Sequence, residues 1–243
     1  MNIKRIALIT GANKGIGFEV ARQLSKDYGM TVLLCARDEQ RGREAEAKLQ
    51  GEGSDVKFLH LDLNDHTTQE AARRFIEETF GRLDILVNNA GIALDARERP
   101  SEVDIETLRK TFDTNFFGTI SVTQALLPLI LKSDAGRIVN VSSGLGSLTQ
   151  HSDPGWKFYG VKPLAYNSSK TALNAFTVML AHELRETKIK VNSADPGFTA
   201  TDLNGHRGNR TVEQGASIIV ELATLPSDGA TGGYFDENGI VPW

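Results

Sequence analysis

The 243-residue chain is 40% hydrophobic and 24% charged, the balance of a soluble globular protein with enough apolar residues for a sizeable core. Its formal charge of −4 is spread over interspersed acids and bases, which excludes a basic nucleic-acid footprint and an acidic tail. The length suits a single domain spanning 1–243, and no apolar run approaches the ~20 residues that cross a membrane.

In chain order, apolar runs alternate with amphipathic segments. Residues 6–10 read as a buried first strand rather than a signal peptide, because the run is short and enters a glycine turn. A helix over 16–28 follows, with Ile16, Val20 and Leu24 at helical spacing and Gly29 as its stop. Strands at 31–36, 56–61, 85–88, 138–141 and 189–194 alternate with helices at 40–50, 67–80, about 104–131, about 165–185 and near 212–225. A short last strand near Tyr234 makes seven. Continuous apolar strands separated by helices predict an α/β fold. It is a single doubly wound Rossmann domain with a mostly parallel seven-stranded sheet and ligands at the carboxyl ends of the strands. The one cysteine, Cys35, sits inside a strand and reads as a buried small hydrophobe, which suits a reducing, cytoplasmic setting. His60, His66, His151, His182 and His206 show no metal-ligand spacing, so no metal is expected.

The first strand and helix are joined by Thr10-Gly11-Ala12-Asn13-Lys14-Gly15-Ile16-Gly17. Gly11 permits the turn, Gly15 and Gly17 admit a pyrophosphate to the backbone, and the helix N-terminus supplies free N–H groups. Three glycines also occur in plain turns; the strand before and the helix after favour a dinucleotide. Where an NAD site places a carboxylate, at the end of the second strand, this chain has Ala36 followed by Arg37. A guanidinium matches a 2′-phosphate, and Lys14 and Arg41 are further candidate cations, so the cofactor is read as NADPH. Asp62, with Leu63 beside it, is a candidate for the adenine amino group or merely a cap for the next turn.

Tyr166 and Lys170 are four apart and share a helix face. A free phenol has a pKa near ~10, and a nearby ammonium favours the phenolate and lowers it. As hydride reaches a carbonyl carbon, charge grows on the oxygen; Tyr166 can protonate it and a facing serine, Ser142 or Ser143, can hold it.

Together with the glycine loop, Asn88-Asn89-Ala90-Gly91, Asn115, Ser142-Ser143, Tyr166-Asn-Ser-Ser-Lys170 and Pro196-Gly197 with Thr199 and Thr201 cover nearly the whole chain in one order. In this the sequence resembles the short-chain dehydrogenases/reductases, and among them the carbonyl reductases. The resemblance implies Ser143 as the catalytic serine and Asn115 as a helix-bending residue that holds a water near Lys170. It implies that Lys170 bonds the nicotinamide ribose and that Asn89, Ala90 and Gly91 approach the adenosine ribose. Pro196, Gly197, Phe198 and Thr199 then cover the nicotinamide carboxamide. The activity so implied is NADPH-dependent reduction of ketones or aldehydes. The same residues also serve an alcohol or hydroxysteroid dehydrogenase working oxidatively. A nucleotide-sensing protein without turnover has no need of Ser143, Tyr166 and Lys170 together, and an epimerase needs a larger substrate part.

One departure stands out. Ser143 and Tyr166 are 23 positions apart, further than is usual in the family, so 144–163 reads as an inserted segment. Its Trp156, Phe158 and Tyr159 either wall a pocket for bulky hydrophobic carbonyl compounds or pack the insertion down. Carbonyl reductases carry an insertion there over the helices that form tetramers in other members, which implies a monomer. His151 is a candidate substrate contact, Trp243 either packs near the pocket or seals the fold, and Phe116, Phe117, Phe176 and Met179 read as core.

Overall fold

The computed structural model describes residues 4–95 and 98–243. Its strands are β1 (Ile6–Ile9), β2 (Thr31–Ala36), β3 (Val56–His60), β4 (Ile85–Asn88), β5 (Arg137–Val141), β6 (Lys190–Ala194), β7 (Tyr234–Asp236) and β8 (Gly239–Ile240). The helices are α1 (Gly15–Lys26), α2 (Glu39–Gly51), α3 (His66–Phe80), α4 (Ile105–Phe112), α5 (Thr119–Ile130), α6 (Leu148–His151), α7 (Leu164–Glu183) and α8 (Val212–Ala223).

The strands form one sheet in the order β3-β2-β1-β4-β5-β6-β7-β8. All pairings are parallel except β7 with β8. Side chains alternate across it as the pleat requires. Ala7, Ile9, Val32, Leu34 and Val87 meet Val20, Leu24, Leu49 and Ile219 on one face. Ile6, Leu8, Leu33, Cys35 and Leu86 meet Ile76, Val122, Leu126 and Leu180 on the other. Strand order reverses between β1 and β4, which opens a crevice at their carboxyl ends.

Helix starts follow local chemistry. Asp38, Asp65, Asp104 and Thr211 each accept a backbone N–H at the first turn of α2, α3, α4 and α8. The N-termini of α1 and α7 have no such cap from their own flanking residue.

Two expectations need correction. The sheet has eight strands, not seven: Gly239–Ile240 turns back on β7 as a two-residue antiparallel edge too short to announce itself. The helical region expected over 104–131 is present, with a π-helical turn over Asp113–Gly118, around Asn115, between α4 and α5. Phe117 and Met179 are not core; they are 57% and 70% exposed, on outward faces of their helices.

Candidate active site

At the switch point, β1 and β4 are stitched together by hydrogen bonds. Thr10 Oγ1 accepts the N–H groups of Asn89 and Ala90, each at 3.0 Å. Asn89 Nδ2 donates to the carbonyls of Thr10 and Gly11 at 2.9 and 3.1 Å. The glycines are needed where they stand. Gly11 has φ +62°, and a Cβ there would lie 2.9 Å from Ala90 Cα. A Cβ on Gly17 would strike Asn89 Nδ2 at 2.4 Å. Asn13 and Ile16 are half-buried, Ile16 packing on the core below. With no side-chain cap and no acid in its first turn, α1 presents its N–H groups to the crevice.

The predicted catalytic residues converge beside this crevice. Asn115, fully buried in the π-helical turn, accepts the N–H of Ile92 at 2.8 Å and donates to its carbonyl at 2.9 Å. Its amide also donates to Ser169 Oγ at 3.0 Å, and Ser169 donates to the Tyr166 carbonyl at 2.7 Å. Asn115 thus links the loop after β4 to the helix that carries Tyr166. Ser143 caps the turn after β5 with its hydroxyl near that of Tyr166, whereas Ser142 is buried beside Tyr234. Lys170 is buried one helical turn after Tyr166, with Nζ 2.8 Å from Val141 O and 5.7 Å from the Tyr166 ring centre. A Cβ on Gly91 would sit 3.3 Å from Asn115 Oδ1 and 3.4 Å from Lys170 Nζ, so glycine keeps open the space above both.

The electrostatics correct one expectation. Burial pushes the Tyr166 phenol up to about 12; the neighbouring Ser143 hydroxyl lowers it and the Asp195 charge raises it further. Lys170 does not pull the phenol down, because its ammonium is directed at Val141 O. Burial lowers Lys170 itself to about 8.

Beside the crevice, Arg37, Leu63, Ile92, Lys110, Thr114 and Phe117 line a cleft of about 540 Å³. Arg37 enters no ion pair among the described residues, its carbonyl meeting His60 Nε2 at 3.0 Å. Lys14 is not free: its Nζ meets Asp202 Oδ2 at 2.5 Å, and His206 holds the other carboxylate oxygen at 2.7 Å. Arg41 pairs with Asp38 at 3.7 Å. Asp62 Oδ1 accepts the N–H of Asn64 at 2.9 Å, capping the turn that follows β3. The closing segment is pinned by Thr199, which donates to Pro196 O at 2.9 Å, while Gly197 has φ +70° and Phe198 is exposed.

The inserted segment is folded around His151. Its Nε2 lies 2.9 Å from Leu145 O and its Nδ1 2.9 Å from Lys162 Nζ. Burial, aided by the Lys162 charge, holds His151 below its usual value. Trp156 stands edge-on to His151, Phe158 to Trp156 and Phe198 to Phe158, at 5.0, 5.6 and 6.0 Å between ring centres. This row joins the insertion to the closing segment. Tyr159 instead faces outward under Lys162. Trp243 seals the fold: it stacks on Tyr234 at 5.5 Å, and its carbonyl accepts the Thr149 N–H.

Three residues of this region were not singled out from sequence. Thr10 left a signal, a fully buried polar residue ending an apolar strand. Asp95 accepts the N–H groups of Ala165 and Tyr166, and Asp195 lies at the end of β6 beside Gly144. Neither carries a local signal, because their partners are remote in sequence.

Comparison with known proteins agrees with this geometry. Residues 5–211 match the family model described as short chain dehydrogenase. Carbonyl reductase [NADPH] 1 of Mus musculus is 35% identical over 281 residues, covering 98% of each chain. Salutaridine reductase of Papaver bracteatum is 36% identical, covering 96% of this chain and 94% of the other. Among solved structures, salutaridine reductase from Papaver somniferum superposes with a TM-score of 0.83 at 34% identity, covering 96% of this chain and all of the other. NADPH-bound carbonyl reductase from chicken fatty liver gives 0.85 at 25% identity over the full length of both. The chain belongs to the short chain dehydrogenase family.

Proposed function

We propose that the protein is an NADPH-dependent carbonyl reductase that converts ketones or aldehydes to alcohols, with Tyr166 as general acid. The observation that carries this reading is the convergence of Asn115, Ser143, Tyr166 and Lys170 on one side of a glycine-lined crevice. Relatives named carbonyl reductase [NADPH] support the activity and the cofactor.

The crevice suits a dinucleotide. The uncapped α1 N-terminus faces it, Gly11, Gly17 and Gly91 keep side chains out, and Arg37 stands in the adjoining cleft. Gly11, Asn13, Gly15, Ile16 and Gly17 would hold the pyrophosphate side, Arg37 and Lys14 the 2′-phosphate, and Asp62, Leu63, Asn89, Ala90 and Gly91 the adenosine. Lys170, Tyr166 and Pro196 to Thr199 would hold the nicotinamide end. NADPH bound there supplies the hydride to the carbonyl carbon.

The chain's own residues handle the oxygen. Ser143 and Tyr166, neighbours across the site, present two hydroxyls to it. As negative charge builds there, Ser143 steadies it and Tyr166 releases its proton to it. A phenol held at about 12 is protonated at neutral pH, the state from which it can act as the acid. Lys170 would fix the ribose. The inserted segment over 144–163, within one domain, screens the site and keeps the protein monomeric; a tetramer in light scattering would rule the latter out. Buried Cys35 accords with a cytoplasmic setting.

The test is NADPH and NADH oxidation, followed by absorbance, with aromatic ketones, quinones and α-keto esters. Rapid turnover with NADPH and slow turnover with NADH bear out the proposal. NADPH binding without turnover of any carbonyl compound speaks for a sensing protein instead.

A further inference from the structure

His151 ends α6 within the inserted segment, and its ring touches both the turn that carries Ser143 and the helix that carries Tyr166. Nε2 lies 2.9 Å from Leu145 O. The amide nitrogen of Asn167, next after Tyr166, stands 3.0 Å from the same ring nitrogen and donates to Val161 O at 3.1 Å. Lys162 Nζ lies 2.9 Å from Nδ1 and donates to the His151 carbonyl at 3.0 Å.

These partners fix the tautomer. An ammonium only donates, so the Nδ1 that faces Lys162 must accept. A carbonyl only accepts, so the Nε2 that faces Leu145 must carry the proton. Both demands are met by one neutral ring, protonated at Nε2. Burial, then the Lys162 charge, resists a second proton. Among the described residues no carboxylate acts on the ring. Asp153 accepts the Gly155 N–H at 2.8 Å, Asp195 accepts that of Gly197 at 2.9 Å, and Lys157 lies over the Phe158 ring.

The bond to Leu145 leads to Ser143. The Leu145 carbonyl shares its peptide unit with the Gly146 N–H, which donates to Ser143 O at 2.7 Å. The Leu145 N–H donates to Ser143 Oγ at 3.2 Å. One peptide therefore ties His151 to the serine backbone. The preceding peptide occupies a lone pair of the serine hydroxyl and leaves its proton for a substrate oxygen.

We propose that His151 is a positioning residue for Ser143: the neutral ring, locked by Lys162, holds the 143–146 turn so that the serine hydroxyl meets the carbonyl oxygen, and a second proton on the ring undoes the arrangement. This rests on the reductase reading for the reaction and on the ring geometry for the positioning. Protonation sets two cations 2.9 Å apart and removes the acceptor that Lys162 uses, so the ring is driven from its place against Leu145.

The experiment measures kcat, KM and their pH profiles with NADPH and an aryl ketone for the wild type, His151→Leu and His151→Gln. Glutamine carries an amide N–H where Nε2–H stands and does not titrate. In His151→Leu kcat should fall about tenfold or more, as for a misplaced catalytic group, with the KM for NADPH unchanged. His151→Gln should recover most of that loss. Wild-type kcat should decline as pH drops below about 6.5, the usual histidine range, while His151→Gln stays level there. Lys162→Met should shift the decline to higher pH, because the ring loses a repelling charge. Full kcat in His151→Leu, no rescue by glutamine in a variant that melts like the wild type, or the same acid decline in wild type and His151→Gln overturns the proposal. Nitrogen-15 NMR of the ring at neutral pH tests the lock without turnover: a proton on Nε2 supports it and a proton on Nδ1 overturns it. If no carbonyl compound is turned over by the wild type, the reductase reading falls, and the NMR signal decides the lock by itself.

Discussion

Asp95 accepts the backbone N–H of Ala165 at 2.5 Å, across 70 residues of chain, and that of Tyr166 at 3.3 Å. It is 1% exposed, and it supplies the cap that Pro163, the residue preceding α7, cannot. The carboxylate also faces the positive end of the α7 dipole. The loop after β4 therefore fastens α7, the helix that carries Tyr166 and Lys170, at its first turn. Asp95→Ala should cost about 2 kcal/mol, the loss of a cap plus two unsatisfied N–H groups. For a chain of this size that is a fall in Tm of roughly 4–8 °C. Asp95→Asn, which keeps an acceptor, should recover most of it; equal losses in both variants would show that the bonds are incidental.

Tyr166→Phe removes the proton donor and leaves the ring. Reduction should slow by about 10²–10⁴-fold, the usual reach of general acid catalysis. NADPH affinity, measured by fluorescence titration, should change little, because the glycine loop is untouched. Retention of a tenth or more of kcat would mean that another group delivers the proton.

Cofactor choice divides between a free and an engaged cation. Arg37→Ala should raise the KM for NADPH by about tenfold or more and leave that for NADH nearly unchanged, as expected for loss of one charge-assisted bond. Asp202→Asn, which releases Lys14, should lower the KM for NADPH modestly. A matched rise for both cofactors in Arg37→Ala would make it a general anchor rather than a reader of the 2′-phosphate.

Two groups should register in pH titrations. Lys170 is lowered to about 8 by burial, so its ammonium is lost as pH rises through that value. The kcat/KM profile should bend near pH 8, while Tyr166, at about 12, lies beyond the working range. His151 is neutral in the fold and held below its usual value. The unfolded chain takes up a proton below about 6.5 that the folded chain resists. Stability from this group is thus complete above pH 6.5 and declines as pH falls toward the folded-state value. Thermal melts between pH 7.5 and 5 should show the wild type losing more than His151→Gln, and parallel curves would remove His151 from the account.

Local pattern in the sequence encodes the strands and the strand-end motifs. Apolar runs such as Ile6–Ile9 and Thr31–Ala36 are buried on both sides, so their strands were plain from hydrophobicity alone. The family motifs were legible because each sits at a strand end or a helix start. What escaped depends on contacts between distant segments. The π-helical turn at Asp113–Gly118 accompanies the bonds of Asn115 to Ile92, which no helical periodicity encodes. The Asp95 cap joins residues 70 positions apart. Lys14 looked free because Asp202, 188 positions on, lies in a segment of irregular pattern. Phe117 and Met179 looked like core because residue type alone does not tell which helix face meets the sheet.

The central claim is hydride transfer to a carbonyl carbon with Tyr166 as acid. Its most direct test is a single turnover with NADPH deuterated at nicotinamide C4 and an aryl ketone, the alcohol being analysed by mass spectrometry. The account predicts one deuterium on the carbinol carbon with the wild type and little labelled alcohol in the same time with Tyr166→Phe. Alcohol without deuterium, or equal labelled product from both proteins, would contradict it.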